Sequence, residues 1–150
     1  MSQVLSAEHL RGRPGLPFST GVRVGEVLYL SGEIGTLPDG SMPSDFNEQS
    51  RQVMENVART LDAAGSSIDH VFKATVMLAD IAQWAQFNDI YLEYFDASRL
   101  PARTAFAVAG LAFGAQVEIE CWAYVDGQSR DTRTRDCACG PAPRDSRGLS

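Results

Sequence analysis

From Val117 to Val125 the chain alternates without a break. Val117, Ile119, Cys121, Ala123 and Val125 take one side, and Glu118, Glu120, Trp122 and Tyr124 take the other. A period of two marks an extended strand, whose successive side chains point to opposite faces of a sheet. No other stretch restricts the fold as much. The small and branched side has to be covered by another layer. The opposite side mixes carboxylates with large aromatic rings, a composition suited to a surface that is partly wet and partly buried between subunits. The strand therefore predicts a sheet covered on one face and met by a second copy of the chain on the other.

Two segments offer the cover. Asp45 and Glu48 resemble a capping box, after which Val53, Val57, Leu61 and Ala64 recur at helical spacing until Gly65. Asp80 and Gln83 repeat that logic before Trp84, Phe87, Tyr91 and Phe95, which line one stripe of a second helix that Pro101 closes off. The remaining patterned segments read as strands. Val22 to Val24 and Val27 to Ser31 form a hairpin around Gly25-Glu26, and Pro38-Asp39-Gly40-Ser41 is a turn. Val71 to Leu78 is apolar, with Phe72, Ala74, Val76 and Leu78 expected on one face, and a further strand runs near Thr104 to Ala109. The expectation is a single domain of strands and two helices over residues 1–126. Residues 127–150 hold five arginines, three aspartates, two prolines and Leu149 as the one large aliphatic side chain, which predicts a disordered tail.

Charge and composition exclude several functions. The net charge is −6, and because the tail carries +2 the first 126 residues carry about −8, a poor match for a nucleic-acid binder. No apolar run approaches the roughly 18–20 residues that span a bilayer. The first twenty residues lack a secretory apolar core and are interrupted by Arg11, Arg13 and Pro14, so the expected location is cytoplasmic. Cys121 falls in a strand pattern, while Cys137 and Cys139 lie in the tail without nearby histidines; free thiols are expected, and no metal site. His9 and His70 have no ligand cluster around them, no nucleophile elbow or phosphate-binding glycine loop occurs, and Lys73, the sole lysine, gains no support as a Schiff-base former.

The residues with chemistry to offer are Arg103, in Pro101-Ala102-Arg103-Thr104, and Glu118. A guanidinium grips a carboxylate in bidentate fashion, and a carboxylate beside an apolar ring such as Trp122 is suited to moving protons near neutrality. Spacing alone does not bring them together. Ser31-Gly32 offers a hydroxyl and close backbone approach, although an ordinary strand end reads the same way. Asn88 sits among the aromatics of the second helix, facing solvent, a local bond or a pocket.

Taken in order, these elements resemble the RidA/YjgF enamine–imine deaminases. The likeness runs from about Pro17 to Val125, through Pro17-Phe18-Ser19, Leu30-Ser31-Gly32-Glu33, Gln49 to Asn56, Ala63-Ala64-Gly65, Lys73-Ala74-Thr75-Val76, Asn88 with Tyr91 and Phe95, Pro101-Ala102-Arg103 and Val117-Glu118-Ile119-Glu120. It implies a chorismate-mutase-like α+β fold, a mixed sheet on two helices, assembled as a homotrimer with pockets between subunits. It implies hydrolysis of reactive 2-imino or enamine acids to 2-oxo acids and ammonia, without metal or cofactor. Arg103 would hold the substrate carboxylate, Glu118 would position and activate water, and Phe18, Ser31, Gly32, Asn88 and Ala105 would line the pocket.

Two positions depart from the family pattern: phenylalanine stands at 18 where tyrosine is usual, and alanine at 105 where cysteine is common. Both make the pocket more apolar and widen the substrates to consider. A pathway-specific deaminase, of an aminomuconate-type or pyrimidine-breakdown enamine, is one alternative. A non-catalytic carboxylate binder or chaperone-like member is another, though a pure sensor needs Arg103 and not Glu118.

Overall fold

The structure, a computed structural model, describes residues 6–12 and 14–125; the expected tail lies outside the described residues. In chain order the elements are β1 (Ala7–Leu10), β2 (Gly21–Val24), β3 (Val27–Leu30), β4 (Glu33–Ile34), α1 (Phe46–Ala63), β5 (Val71–Leu78), α2 (Trp84–Tyr91), β6 (Ala102–Ala107) and β7 (Val117–Tyr124). They build one mixed sheet ordered β1-β2-β3-β7-β5-β6, with β4 also paired to β7. Only β5 and β6 run parallel, and α2 lies on the crossover between them, as a parallel pair requires. The α+β expectation holds: a mixed sheet packed on two helices.

β7 sits centrally, between β3 and β5, and its alternation is realised. Val117, Ile119, Cys121 and Ala123 are fully buried against the helical layer. α1 presents Val53, Met54, Val57 and Leu61 to them, also with no exposed surface, each such burial contributing about 1.5–3 kcal/mol. The ends of α1 follow its sequence. Asp45 accepts a hydrogen bond from the Glu48 amide at 3.0 Å, and Gly65, at φ +75°, lets the Ser66 amide close on Leu61 O at 2.9 Å. Cys121 is a free thiol, pushed by burial up to about 12.

Three expectations change. Phe72 does not share a face with Ala74, Val76 and Leu78, because the register shifts between Val71 and Lys73. That bulge puts Val71 in the core and turns Phe72 out beside Trp122 and Tyr124. The second helix stops at Tyr91, although Phe95 beyond it stays buried and packs on Tyr91. β6 begins at Ala102, so Arg103 lies within a strand and not at its mouth. The short strands β1 and β4 were not anticipated.

Candidate functional site at two faces of one sheet

Register decides which way Arg103 points. It lies opposite Ala74, and Ala74 lies opposite Cys121, both buried beneath the helices. Arg103 is therefore on the helix-covered face, where α2 receives it. Its Nη2 donates to Asn88 Oδ1 at 2.6 Å. Its guanidinium carbon stands 4.7 Å from the centre of the Tyr91 ring and 5.9 Å from that of Trp84. Trp84 accordingly serves as a flank for the cation, with 45% of its surface exposed, and not as the first core residue of the stripe. Ala105, two residues along β6, shares that face and packs on the core edge. The result is a half-buried cation held by an amide and two rings, with donors left over.

Glu118 points the other way, between Val117 and Ile119, and lines a cleft of about 810 Å³. Phe18, Ser31 and Gly32 line the same cleft. Gly32 is a close-approach glycine. A Cβ there would collide with Glu118 Oε1 and come within 2.9 Å of its carboxyl carbon. The carboxylate thus lies over the backbone of residue 32. Burial, then the neighbouring Glu120, pushes the Glu118 carboxyl above its ordinary value. The Ser31 hydroxyl donates to Ser19 O at 2.7 Å, which ties down the segment bearing Phe18.

The expected site residues thus fall into two groups. Arg103, Asn88 and Ala105 belong to one face; Phe18, Ser31, Gly32 and Glu118 belong to the other. One chain does not bring Arg103 and Glu118 into a common pocket, because β5 separates their strands and the pleat turns them apart. Among the described residues, no three His, Cys, Asp or Glu side chains gather as a metal would need, and no helix is long and apolar enough to cross a membrane.

A family model described as Endoribonuclease L-PSP matches residues 11–125. The 2-iminobutanoate/2-iminopropanoate deaminase of Bos taurus is 42% identical over 106 residues, 69% of this chain and 77% of that protein. Among solved structures, YEO7 of yeast superposes with a TM-score of 0.75 at 31% identity, covering 80% of this chain and 99% of that one. E. coli TdcF with bound serine superposes at 0.69, also at 31% identity, covering 82% and 98%. The chain belongs to the RidA/YjgF family.

Within this RidA/YjgF chain, further residues build the site and were not picked out as doing so. Asn56 Nδ2 donates to Ile34 O at 2.8 Å and Thr36 O at 2.9 Å, holding β4 against α1. Gln49 donates to Pro43 O at 2.8 Å and accepts from the Gln116 amide at 2.6 Å, which fixes the chain two residues before Glu118. Both are polar residues buried on the helix face that also carries Phe46, Val53 and Val57, and that mismatch was the available signal. Phe113 also lines the cleft, and an isolated phenylalanine in a loop gave no warning of it.

Proposed function

We propose that the chain hydrolyses reactive 2-imino or enamine acids to 2-oxo acids and ammonia, as a homotrimer whose pockets form between copies. The observation that carries this reading is the placement of a preset cation and a raised carboxylate on opposite faces of one sheet. Each is half of a site, and a second copy of the chain supplies the other half. The partly exposed aromatic face, with Tyr29, Phe72, Trp122 and Tyr124 in edge or tilted contact, supports such an assembly.

In the proposed reaction Arg103 of one copy binds the substrate carboxylate, its orientation kept by Asn88 and Tyr91. Glu118 of the next copy holds water against C2. The water oxygen adds to C2 as the C=N electron pair moves to nitrogen, and Glu118 accepts the water's proton. The product is a carbinolamine. Glu118 then returns that proton to nitrogen and accepts the hydroxyl proton as the oxygen forms the C2=O bond. The C2–N bond breaks, ammonia leaves, and the proton on Glu118 passes to ammonia or solvent. One water enters, one ammonia departs, and no redox change occurs. A protonated imine is already electrophilic, so orientation and one proton shuttle suffice.

The name of the family model points toward RNA cleavage. Imine chemistry is better supported, since His9 bonds Ser19 and His70 contacts Ser67, neither lining the Glu118 cleft. A cytoplasmic location belongs to the same proposal, and cell fractionation tests it. The function itself is tested by coupling the protein to a threonine or serine dehydratase and timing the disappearance of the imine. Faster decay that is lost in Arg103→Ala supports the reading. Unchanged decay for several imino acids, with the oligomer assembled, contradicts it.

A further inference from the structure

Phe113 is the most exposed large apolar residue described, at 86%, and its backbone stands at φ +57°, in the left-handed region that phenylalanine rarely adopts. Gly114 follows at φ +71°, so the pair makes a tight left-handed step just ahead of β7. A bulky ring held in that conformation without core burial invites a functional explanation. The ring lines the Glu118 cleft, whose walls also include Leu16 and Phe18, 40% and 53% exposed. Three uncovered apolar side chains therefore share a single concavity with two carboxylates, Glu118 and Glu33, the latter accepting a hydrogen bond from Thr60 at 2.7 Å.

We propose that Phe113, with Leu16 and Phe18, forms the subsite for the substrate side chain and selects 2-imino acids with large apolar side chains. The proposal rests on the deaminase reading above. C2 of such a substrate is trigonal, bearing a carboxylate, a nitrogen and the side chain. With the carboxylate directed to Arg103 of another copy and C2 facing the water on Glu118, the side chain is left to extend along the remaining wall. That wall is aromatic and aliphatic, and burying a branched or aromatic group there removes apolar surface on both partners from water. Arg11 and Arg59 also border the cleft, which makes an acidic side chain the competing occupant to test.

The test uses the assembled protein and Phe113→Gly, a change that relieves the left-handed backbone and so leaves folding intact. Imines are generated by amino-acid oxidases from leucine, phenylalanine, alanine and glutamate, and their clearance is followed by competition with semicarbazide. The wild type is expected to clear leucine- and phenylalanine-derived imines at least about tenfold more efficiently than the alanine-derived one, a typical ratio for apolar pockets. Phe113→Gly should lose about tenfold on the large imines and about twofold on the small one, mainly through KM, with Phe113→Leu recovering most of the loss. Calorimetry should show tighter binding of 4-methyl-2-oxopentanoate than of pyruvate, a difference that shrinks in Phe113→Gly. Equal losses on large and small imines, or a preference for the glutamate-derived imine, would overturn the proposal while leaving deamination standing. Failure on every imine by an assembled wild type would remove the deaminase reading and this inference together.

Discussion

The cation side and the carboxylate side of this sheet are built on different principles. Arg103 is clamped before any ligand arrives: Asn88 takes one N–H at 2.6 Å and two aromatic rings flank the guanidinium. Glu118 lies in an open cleft among exposed apolar groups, with its own backbone support supplied from beneath by Gly32. The first arrangement suits recognition of a fixed group such as a carboxylate. The second leaves room for water and a variable side chain. A single polypeptide carries both but does not join them, and the pleat of β7 and β6 explains why.

One of the two largest expected effects comes from removing the clamp's cation. Arg103→Ala should lower kcat/KM about a hundredfold, in line with losing a bidentate charge-assisted contact of about 1.5–3 kcal/mol. Circular dichroism and light scattering should report an unchanged fold and oligomer. Retention of full turnover would break the assignment of Arg103.

Glu118→Gln attacks the other side and should lower kcat about a hundredfold or more, with KM little changed, as general acid–base groups do. The raised carboxyl also fixes two pH dependences. Turnover should fall on acidification along a limb lying above the ordinary carboxylate value, because Glu118 has to be ionised to accept the proton. For stability the sign is opposite. The folded chain holds the Glu118 proton more tightly than the unfolded chain does, so the residue favours the native state at low pH and that benefit is lost as pH rises through its raised value. Glu118→Gln should therefore melt slightly above wild type at pH 7, and the difference should vanish in acid. A variant that melts lower at neutral pH would show that the carboxylate is stabilising and the burial reading is mistaken.

Gly32→Ala tests the support beneath Glu118 without touching its chemistry. The added methyl meets the carboxylate, so kcat should fall about tenfold with a nearly unchanged melting temperature. Smallest of the series, Asn88→Ala frees Arg103 from one hydrogen bond; a three- to tenfold rise in KM is expected from losing about 1 kcal/mol of orientation. A larger effect from Asn88→Ala than from Gly32→Ala would reverse the view of which side is preset.

Much of the fold was legible because its signals are local. Asp45 with Glu48 and Gly65 bracket α1, and the alternation of β7 separates the core from the face the helices leave uncovered. The errors arose where pairing, not local pattern, decides. Simple alternation places Phe72 on the wrong face because a bulge is a property of two strands. β1 and β4, with four and two residues, have too little pattern to be read without their partners. Of the expected site residues, Arg103, Glu118, Ser31, Gly32 and Asn88 stand out by their chemistry, and Phe18 and Ala105 by family likeness alone. What chemistry alone could not give was that Arg103 and Glu118 diverge within one chain, since the direction of Arg103 depends on its register with Ala74 across a parallel pair. The inter-subunit pocket implied by the family resemblance is the arrangement consistent with that divergence.

The claim that each active site takes its arginine from one copy and its glutamate from another is tested most directly by mixing. Arg103→Ala and Glu118→Gln proteins, each inactive alone, would be unfolded together in equal amounts, refolded and assayed. Random assortment of a closed homo-oligomer gives roughly a quarter of the sites an intact pair, so about a quarter of wild-type activity should return. Mixed oligomers, confirmed by mass spectrometry, that remain as inactive as their parents would contradict the shared site.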